Sequence, residues 1–282
     1  MLRDKAMLVR LSISQWSGRR FDKKATAEVE TAHNTKNIGR FNKTLVDPQL
    51  LKGVTTAAGR IRTAHYMRTM PWDDAEYRLL PSEMYYEHSE LMQQLEDDFW
   101  NQVNHIVDNY DLEVQRSSTR LGPLFDPSEY PSPAELRARY DVRWSIIPLP
   151  DKEDFRIDLG AEEVARIQEG IEERIASATH AAVADIWHRL AETVKRAHDR
   201  LSTPDAVFRD TLIGNIEDLC GLIPKLNVTN DPELERLRLD VEAKLAGHEP
   251  QTLRDNQTAR KQVADDASSI LSEMDRMMEG WR

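Results

Sequence analysis

The sequence lacks most of the residues and motifs on which metal sites, disulfide frameworks and membrane spans depend. Its one cysteine, Cys220, excludes an intramolecular disulfide framework and any zinc or iron–sulfur site that needs several cysteines. No apolar run approaches the ~18 residues of a transmembrane helix. No apolar stretch of the signal-peptide type follows Met1. We therefore expect a cytoplasmic protein without a membrane partner.

Catalytic motifs are absent as well. The chain contains no GxxxxGK(S/T), GxGxxG, GxSxG or HExxH motif. The sequence therefore gives no sign of a nucleotide-phosphate loop, a serine hydrolase site or a zinc protease site. The histidines match no metal-ligand spacing, and the acidic clusters are typical of solvated surfaces. We predict a non-enzymatic protein with no catalytic residues, no metal and no cofactor. An enzyme with an unrecognised site is the remaining alternative.

What the sequence does have is an uneven distribution of charge. It carries 38 Lys and Arg against 49 Asp and Glu, a formal net charge of −11. Residues 1–70 hold 14 basic and 5 acidic residues, whereas the remainder holds 24 basic and 44 acidic residues. A uniformly basic nucleic-acid binder is thereby excluded, but a binding site confined to the N-terminal quarter is not.

Aromatic residues lie among these N-terminal cations, a composition that suits single-stranded nucleic acid. Cations contact phosphates, and rings stack on bases for about 1–3 kcal/mol each. The candidate binding residues are Trp16, Arg19, Arg20, Lys23, Lys24, Arg40, Phe41, Lys43, Arg60, Arg62 and Arg68. The alternative is that these charges pair with the protein's own acidic half while the rings lie in the core.

Hydrophobic periodicity predicts the secondary structure. Alternation over 7–13 predicts a first strand, and alternation over 142–146 and 155–159 predicts two neighbouring strands joined by a loop. Apolar residues three or four apart predict helices at 21–32, from Asp47-Pro48 to Pro71, and from 82 to Tyr110. Asp22 is the predicted N-cap of the first helix.

The strongest pattern is an uninterrupted stripe that predicts one helix from about Glu162 to Leu201, about 60 Å long. Shorter stripes after it predict antiparallel helices. The predicted fold class is α+β: a small N-terminal β-sheet with helices, a long central helix and a C-terminal helical bundle. We place a mixed domain with the basic region at 1–160 and a helical domain at 161–282, with one continuous fold as the alternative.

Three segments resemble a family of uncharacterised phage and prophage proteins. They are 62–81 (RTAHYMRTMPW…YRLLP), 121–131 (LGPLF followed by DPSEYP) and 154–156 (DFR). The resemblance implies a phage or prophage origin, but it brings no activity and no catalytic residues. At the level of fold, the order of strand, basic helices, hairpin and long helix also resembles phage single-strand annealing proteins, which form rings or filaments on DNA.

Two function hypotheses follow. The first is a phage protein that binds single-stranded nucleic acid as a homo-oligomer in annealing or recombination. The second is a structural or adaptor protein that contacts other proteins through its long helix and C-terminal helices. Met274, Met277, Met278 and Trp281 are the candidate docking residues in the second case, because methionine-rich faces adapt to partners. The alternative for these four is that they close the helical bundle.

Overall fold

The structure, a computed structural model, describes residues 2–72, 77–151, 160–203 and 206–278. Helices account for most of this part of the chain. In chain order they are α1 (Lys23–Ala32), α2 (Pro48–Arg68), α3 (Tyr85–Leu121), α4 (Pro133–Arg137), α5 (Ala161–Ser202), α6 (Thr211–Leu226), α7 (Pro232–Leu245), α8 (Pro250–Asp255) and α9 (Gln257–Met278).

The strands form two small sheets. In chain order they are β1 (Ala6–Ser14), β2 (Arg19–Phe21), β3 (Asn42–Thr44), β4 (Met70–Pro71), β5 (Tyr77–Pro81) and β6 (Asp141–Pro148). A four-stranded sheet has the order β4-β5-β1-β6, and β2 pairs with β3 in a separate two-stranded sheet. The α+β fold class, with its small N-terminal sheet, long central helix and C-terminal helices, is confirmed.

The periodic stretches of the sequence correspond to regular elements. β1 covers the alternation at 7–13, and α2 begins at the predicted proline, Pro48. α5 covers the long stripe, whereas α3 continues past Tyr110 to Leu121. β6 covers the strand predicted at 142–146, but its predicted partner at 155–159 lies outside the described residues.

Aspartate side chains fix where two helices begin. Asp22 Oδ1 accepts a hydrogen bond from the backbone N–H of Ala25 at 3.0 Å, which caps α1 as predicted. Asp231 Oδ1 accepts from the N–H groups of Glu233 and Leu234 at the start of α7. Each cap satisfies backbone donors that have no partner within the first helical turn.

The chain divides into two compact units, and the division differs from the predicted domains 1–160 and 161–282. Unit 1 comprises Met1–Arg10, Tyr66–Glu87 and Ser145–Arg282, and unit 2 comprises Leu11–His65 and His88–Trp144. The reason is burial. Apolar residues of β4, β5 and the first part of β1 belong to the same hydrophobic cluster as the long helix, so these residues join the helical unit, whereas residues 11–14 of β1 belong to unit 2.

In unit 1, α5 is the element on which the C-terminal helices pack. From Ala178 to Leu201 its stripe is buried in one cluster with α6, α7 and α9. Trp187 lies in this cluster and donates its indole N–H to Asp231 Oδ2 at 3.1 Å. The chain therefore supplies its own partner for this half of the stripe.

Unit 2 is built on α2 and α3, which contribute to a second hydrophobic cluster. Ile61 of α2 and Phe99 of α3 are fully buried in it. Gly53 faces Gln102, and a Cβ at Gly53 would overlap the amide of that side chain.

Burial raises the pKa of Tyr110 and of Tyr140 to about 12, so both phenols stay neutral.

Arg260 of α9 closes the C-terminal end of α5. Its guanidinium is buried and donates to the carbonyl oxygens of Leu201 at 3.0 Å, Arg200 at 2.9 Å and Ala206 at 3.0 Å. Because the last carbonyls of a helix have no partner within it, one planar cation satisfies several acceptors that would otherwise lie buried and unbonded.

We expect Arg260→Met to lower the free energy of unfolding by about 2–3 kcal/mol, the scale of hydrogen bonds to a charged group whose acceptors stay buried. Urea unfolding followed by circular dichroism measures it. The matched control is Lys261→Met, which removes a neighbouring exposed cation and should change stability by less than about 0.5 kcal/mol. Equal stabilities of the two variants would contradict this role for Arg260.

Candidate nucleic-acid interface

Residues 19–44 of unit 2 form a small substructure that we call the basic lobe. It consists of β2, α1 and β3, with Arg20 opposite Lys43 and Phe21 opposite Asn42 in the antiparallel ladder. One more hydrogen bond, from Asp22 N to Phe41 O at 2.9 Å, continues the ladder beyond the strands. The lobe thus holds most of the predicted binding residues on one piece of backbone.

Five predicted cations are exposed on the basic lobe: Arg19, Arg20, Lys23, Lys24 and Arg40. None of them forms an ion pair with another residue that the structure describes. Two lysines also lie in the first turn of α1, at the positive end of the helix dipole, where the Asp22 carboxylate caps the helix. The lobe therefore presents exposed cations to solvent.

Two aromatic rings accompany these cations. Phe21 is 37% exposed and Phe41 is 41% exposed. The Arg40 guanidinium lies 5.6 Å from the centre of the Phe21 ring. Arg19 and Phe21 share one face of β2, because side chains alternate along a strand. Cations and rings are therefore brought together here, as the nucleic-acid hypothesis requires.

Lys43, in contrast, is not available to a ligand. It is only 5% exposed, and its ammonium lies 2.6 Å from Glu129 Oε2 and 3.3 Å from Asp22 Oδ2. It also donates to the carbonyl of Leu124 at 2.8 Å. Burial lowers the pKa of Lys43, but the bonds to Glu129 and Asp22 outweigh it and hold that pKa above its ordinary value. Lys43 ties the lobe to the 122–130 segment.

Trp16 is likewise a core residue instead of a stacking platform. It is 7% exposed and packs edge-on against Tyr110, with ring centres 6.0 Å apart and planes at 79°. The alternative from the sequence, that an aromatic residue among cations lies in the core, holds at this position.

The three arginines of α2 do not lie in the basic lobe. Arg60 forms an exposed ion pair with Asp98 at 2.7 Å. Arg68 belongs to unit 1, where it lies 3.8 Å from Glu87. Arg62 is exposed and has no ion-pair partner among the described residues, so it is the one predicted arginine of α2 that is not ion-paired there.

A small cleft, which no periodic pattern in the sequence indicates, lies between α1 and the segment that returns to β3. We call it the lobe cleft; its volume is about 250 Å³ and its lining residues are Thr26, Val29, Glu30, Ile38, Gly39, Arg40 and Phe41. Val29 is 45% exposed and Ile38 is 61% exposed. The available signal was an isolated apolar residue in an otherwise polar stretch, which periodicity does not detect.

Groups that could support other chemistry are not assembled. Within the described ranges, no three or more His, Cys, Asp or Glu side chains are placed to hold a metal ion. Cys220 is buried, and that burial raises the pKa of its thiol to about 11, which leaves it a weak nucleophile. None of the helices in the described part of the chain is both long and apolar enough to cross a bilayer.

Comparisons with known proteins add no relative. No protein-family model matches the chain, and no curated protein or solved structure matches it significantly. The resemblance to phage proteins therefore stays a prediction.

The contrast between Trp16 and Phe41 is testable by stability. We expect Trp16→Ala to cost about 3–5 kcal/mol, because it leaves a cavity beside Tyr110. Phe41→Ala removes a half-exposed ring and should cost about 1 kcal/mol or less. Urea unfolding of both variants measures the difference. A Trp16→Ala protein as stable as the wild type would contradict the burial of Trp16 in the core.

The Lys43 cluster gives stability a defined pH dependence. Removing the ammonium with Lys43→Met should lower the stability of unit 2 most at neutral pH, where both carboxylates are charged. Because the pKa of Lys43 is raised in the folded protein, the stabilisation from its ammonium is complete below about pH 10.5. This stabilisation is lost as the pH rises through the higher pKa that Lys43 has in the folded protein. The bond from the Ala25 N–H, with help from Lys43, lowers the pKa of Asp22, so the contribution of that carboxylate is complete above 3.8 and is lost on acidification.

Unfolding of the wild type and of Lys43→Met across this pH range measures the difference. Lys23→Met is the matched control, since it removes an exposed cation from the same lobe. A wild-type advantage over Lys43→Met that is equally large at every pH would contradict the ion cluster as its source.

Proposed function

We propose that this protein is a non-catalytic phage protein that binds single-stranded nucleic acid through its basic lobe. The observation that carries the proposal is the group of five exposed cations, none ion-paired to another residue that the structure describes, placed beside two part-exposed phenylalanine rings. Phosphates are the anions that such a group suits, and rings beside them offer a stacking surface for unpaired bases.

The overall charge supports a confined contact. With a net charge of −11, much of the surface repels a phosphate backbone, so attraction is concentrated where the cations are. Burial of Trp16 and Lys43, and the pairing of Arg60 and Arg68, reduce the proposed set to the lobe cations with Arg62 as an outlying member.

The adaptor hypothesis has less support. Met274 and Met278 are buried in the core of unit 1, Met277 packs against it, and Trp281 lies outside the described residues. The stripe of α5 from Ala178 onward is covered by the chain's own helices. The features that suggested a docking surface are therefore largely internal contacts. Homo-oligomerisation stays a prediction, which light scattering of the purified protein tests.

Fluorescence anisotropy with a labelled single-stranded oligonucleotide tests the proposal. We expect binding at low salt, with an affinity that falls steeply as salt rises. Each phosphate contact on a single strand adds about −0.7 to the slope of log K against log salt, so five contacts give about −3.5. The triple variant Arg19→Ala/Arg20→Ala/Lys23→Ala should reduce the magnitude of that slope by about 2.

The matched control is Lys52→Ala/Arg139→Ala/Arg143→Ala, which removes three exposed cations of unit 2 outside the lobe. This control should retain most of the wild-type slope. If the wild type does not bind at micromolar concentration and low salt, nucleic-acid binding is wrong. If the control variant reduces the magnitude of the slope as much as the lobe variant does, the assignment of the binding site to the basic lobe is wrong.

A further inference from the structure

The lobe cleft is a preformed cavity of unusual composition for a polar surface. Its open apolar residues, Val29, Ile38 and Phe41, lie together on one small lobe. Single exposed apolar residues are ordinary on proteins, and the cleft brings three of them to one opening. The volume of about 250 Å³ is smaller than the ~300–1,000 Å³ of sites for drug-sized ligands. The cleft suits one small planar group.

Hydrogen bonds hold the walls of the cleft in place. Glu30 Oε1 accepts from Asn37 N at 2.7 Å, and Thr26 Oγ1 accepts from Phe41 N at 3.1 Å. Asn34 and Asn37 both adopt the left-handed backbone conformation, with φ of 48° and 57°. Asparagine tolerates this conformation, which turns the segment after α1 back over the helix. The cleft is thus shaped before any ligand arrives.

The polar groups at the cleft are complementary to a nucleobase. Arg40 supplies a planar cation, which stacks on rings and donates hydrogen bonds. Glu30 Oε2 makes no hydrogen bond to another residue of the described chain, so it is free to accept one. Cytosine, adenine and guanine carry an exocyclic amino group that donates to a carboxylate, whereas thymine does not.

We infer that the lobe cleft holds one unstacked base of the strand whose phosphates the lobe cations contact. This inference rests on the proposed function and names its substrate more closely. The apolar walls cover the faces of the base, and Glu30 accepts from its amino group. Such a base must leave its stack and its pairing partner, so we expect the cleft to select single strands over duplex. The Glu30 carboxylate should in turn favour cytosine over thymine.

The central experiment compares oligo-dC with an abasic phosphodeoxyribose strand of equal length, using anisotropy at fixed salt. Val29→Ser/Ile38→Ser removes apolar walls that are exposed in the free protein, so the fold should be retained, which circular dichroism checks. We expect this variant to bind oligo-dC about tenfold more weakly, within the ~1–3 kcal/mol range of one stacked base. Its affinity for the abasic strand should equal that of the wild type.

Glu30→Gln tests the recognition of the amino group. The substitution can retain the acceptor used by Asn37 N and replaces the other oxygen with a donor. We expect the wild type to prefer oligo-dC over oligo-dT and the variant to lose or reverse that preference. Retention of the wild-type preference in Glu30→Gln would overturn the assignment of Glu30.

The outcomes separate this inference from the proposed function. If the wild type binds abasic and base-bearing strands equally, or Val29→Ser/Ile38→Ser weakens both alike, the base site is wrong while phosphate binding stands. If neither strand binds, the proposed function itself is wrong. If light scattering shows that Val29→Ser/Ile38→Ser dissociates a wild-type oligomer, the cleft is occupied by a second copy and the inference is overturned.

Discussion

The ion cluster around Lys43 is the interaction on which the basic lobe depends. A buried ammonium is stable only when it is paired, and here two carboxylates and one carbonyl surround it. Asp22 serves twice, since the same carboxylate caps α1 and contacts Lys43. The start of the helix and the attachment of the lobe to the 122–130 segment are therefore fixed by one group of charges.

This use of Lys43 clarifies which positive charge is left over. Seen only as composition, the cations of the N-terminal quarter are equivalent. Among the nine predicted binding cations, one is buried and structural and two are ion-paired. The other six, five on the lobe and Arg62 on α2, form no ion pair with another residue that the structure describes. A local excess of charge has meaning for binding only after such internal pairing has been subtracted.

Local patterns predicted the elements because each element satisfies its backbone locally. The alternation in β1, the stripe of α5 and the cap at Asp22 are all visible within a few residues of sequence. The division into units was not predictable in this way. It depends on apolar residues of β5 joining the core around α5, which lies about eighty residues further along the chain.

The candidate site was predictable in part, for the same reason. The cations and rings of 19–44 are close in sequence, so composition placed them among the candidates, together with Trp16 and three α2 arginines that lie elsewhere. Trp16 and Lys43 are buried through their contacts with Tyr110 and Glu129, respectively. A local sequence pattern cannot predict partners that lie so far along the chain. The lobe cleft was not predictable from local sequence, because Val29 and Ile38 line one cavity only after the segment following α1 has turned back.

The interleaving of the two units has a consequence for synthesis on the ribosome. Every segment of unit 2 has been made once residue 144 is reached, whereas unit 1 still waits for Ser145–Arg282. At about 5–20 residues per second, that wait lasts about 7–28 s. Throughout it, Leu8 and Leu79, destined for the core around α5, have no finished core to enter. The nascent chain is therefore most in need of a chaperone after its first unit is complete, not before.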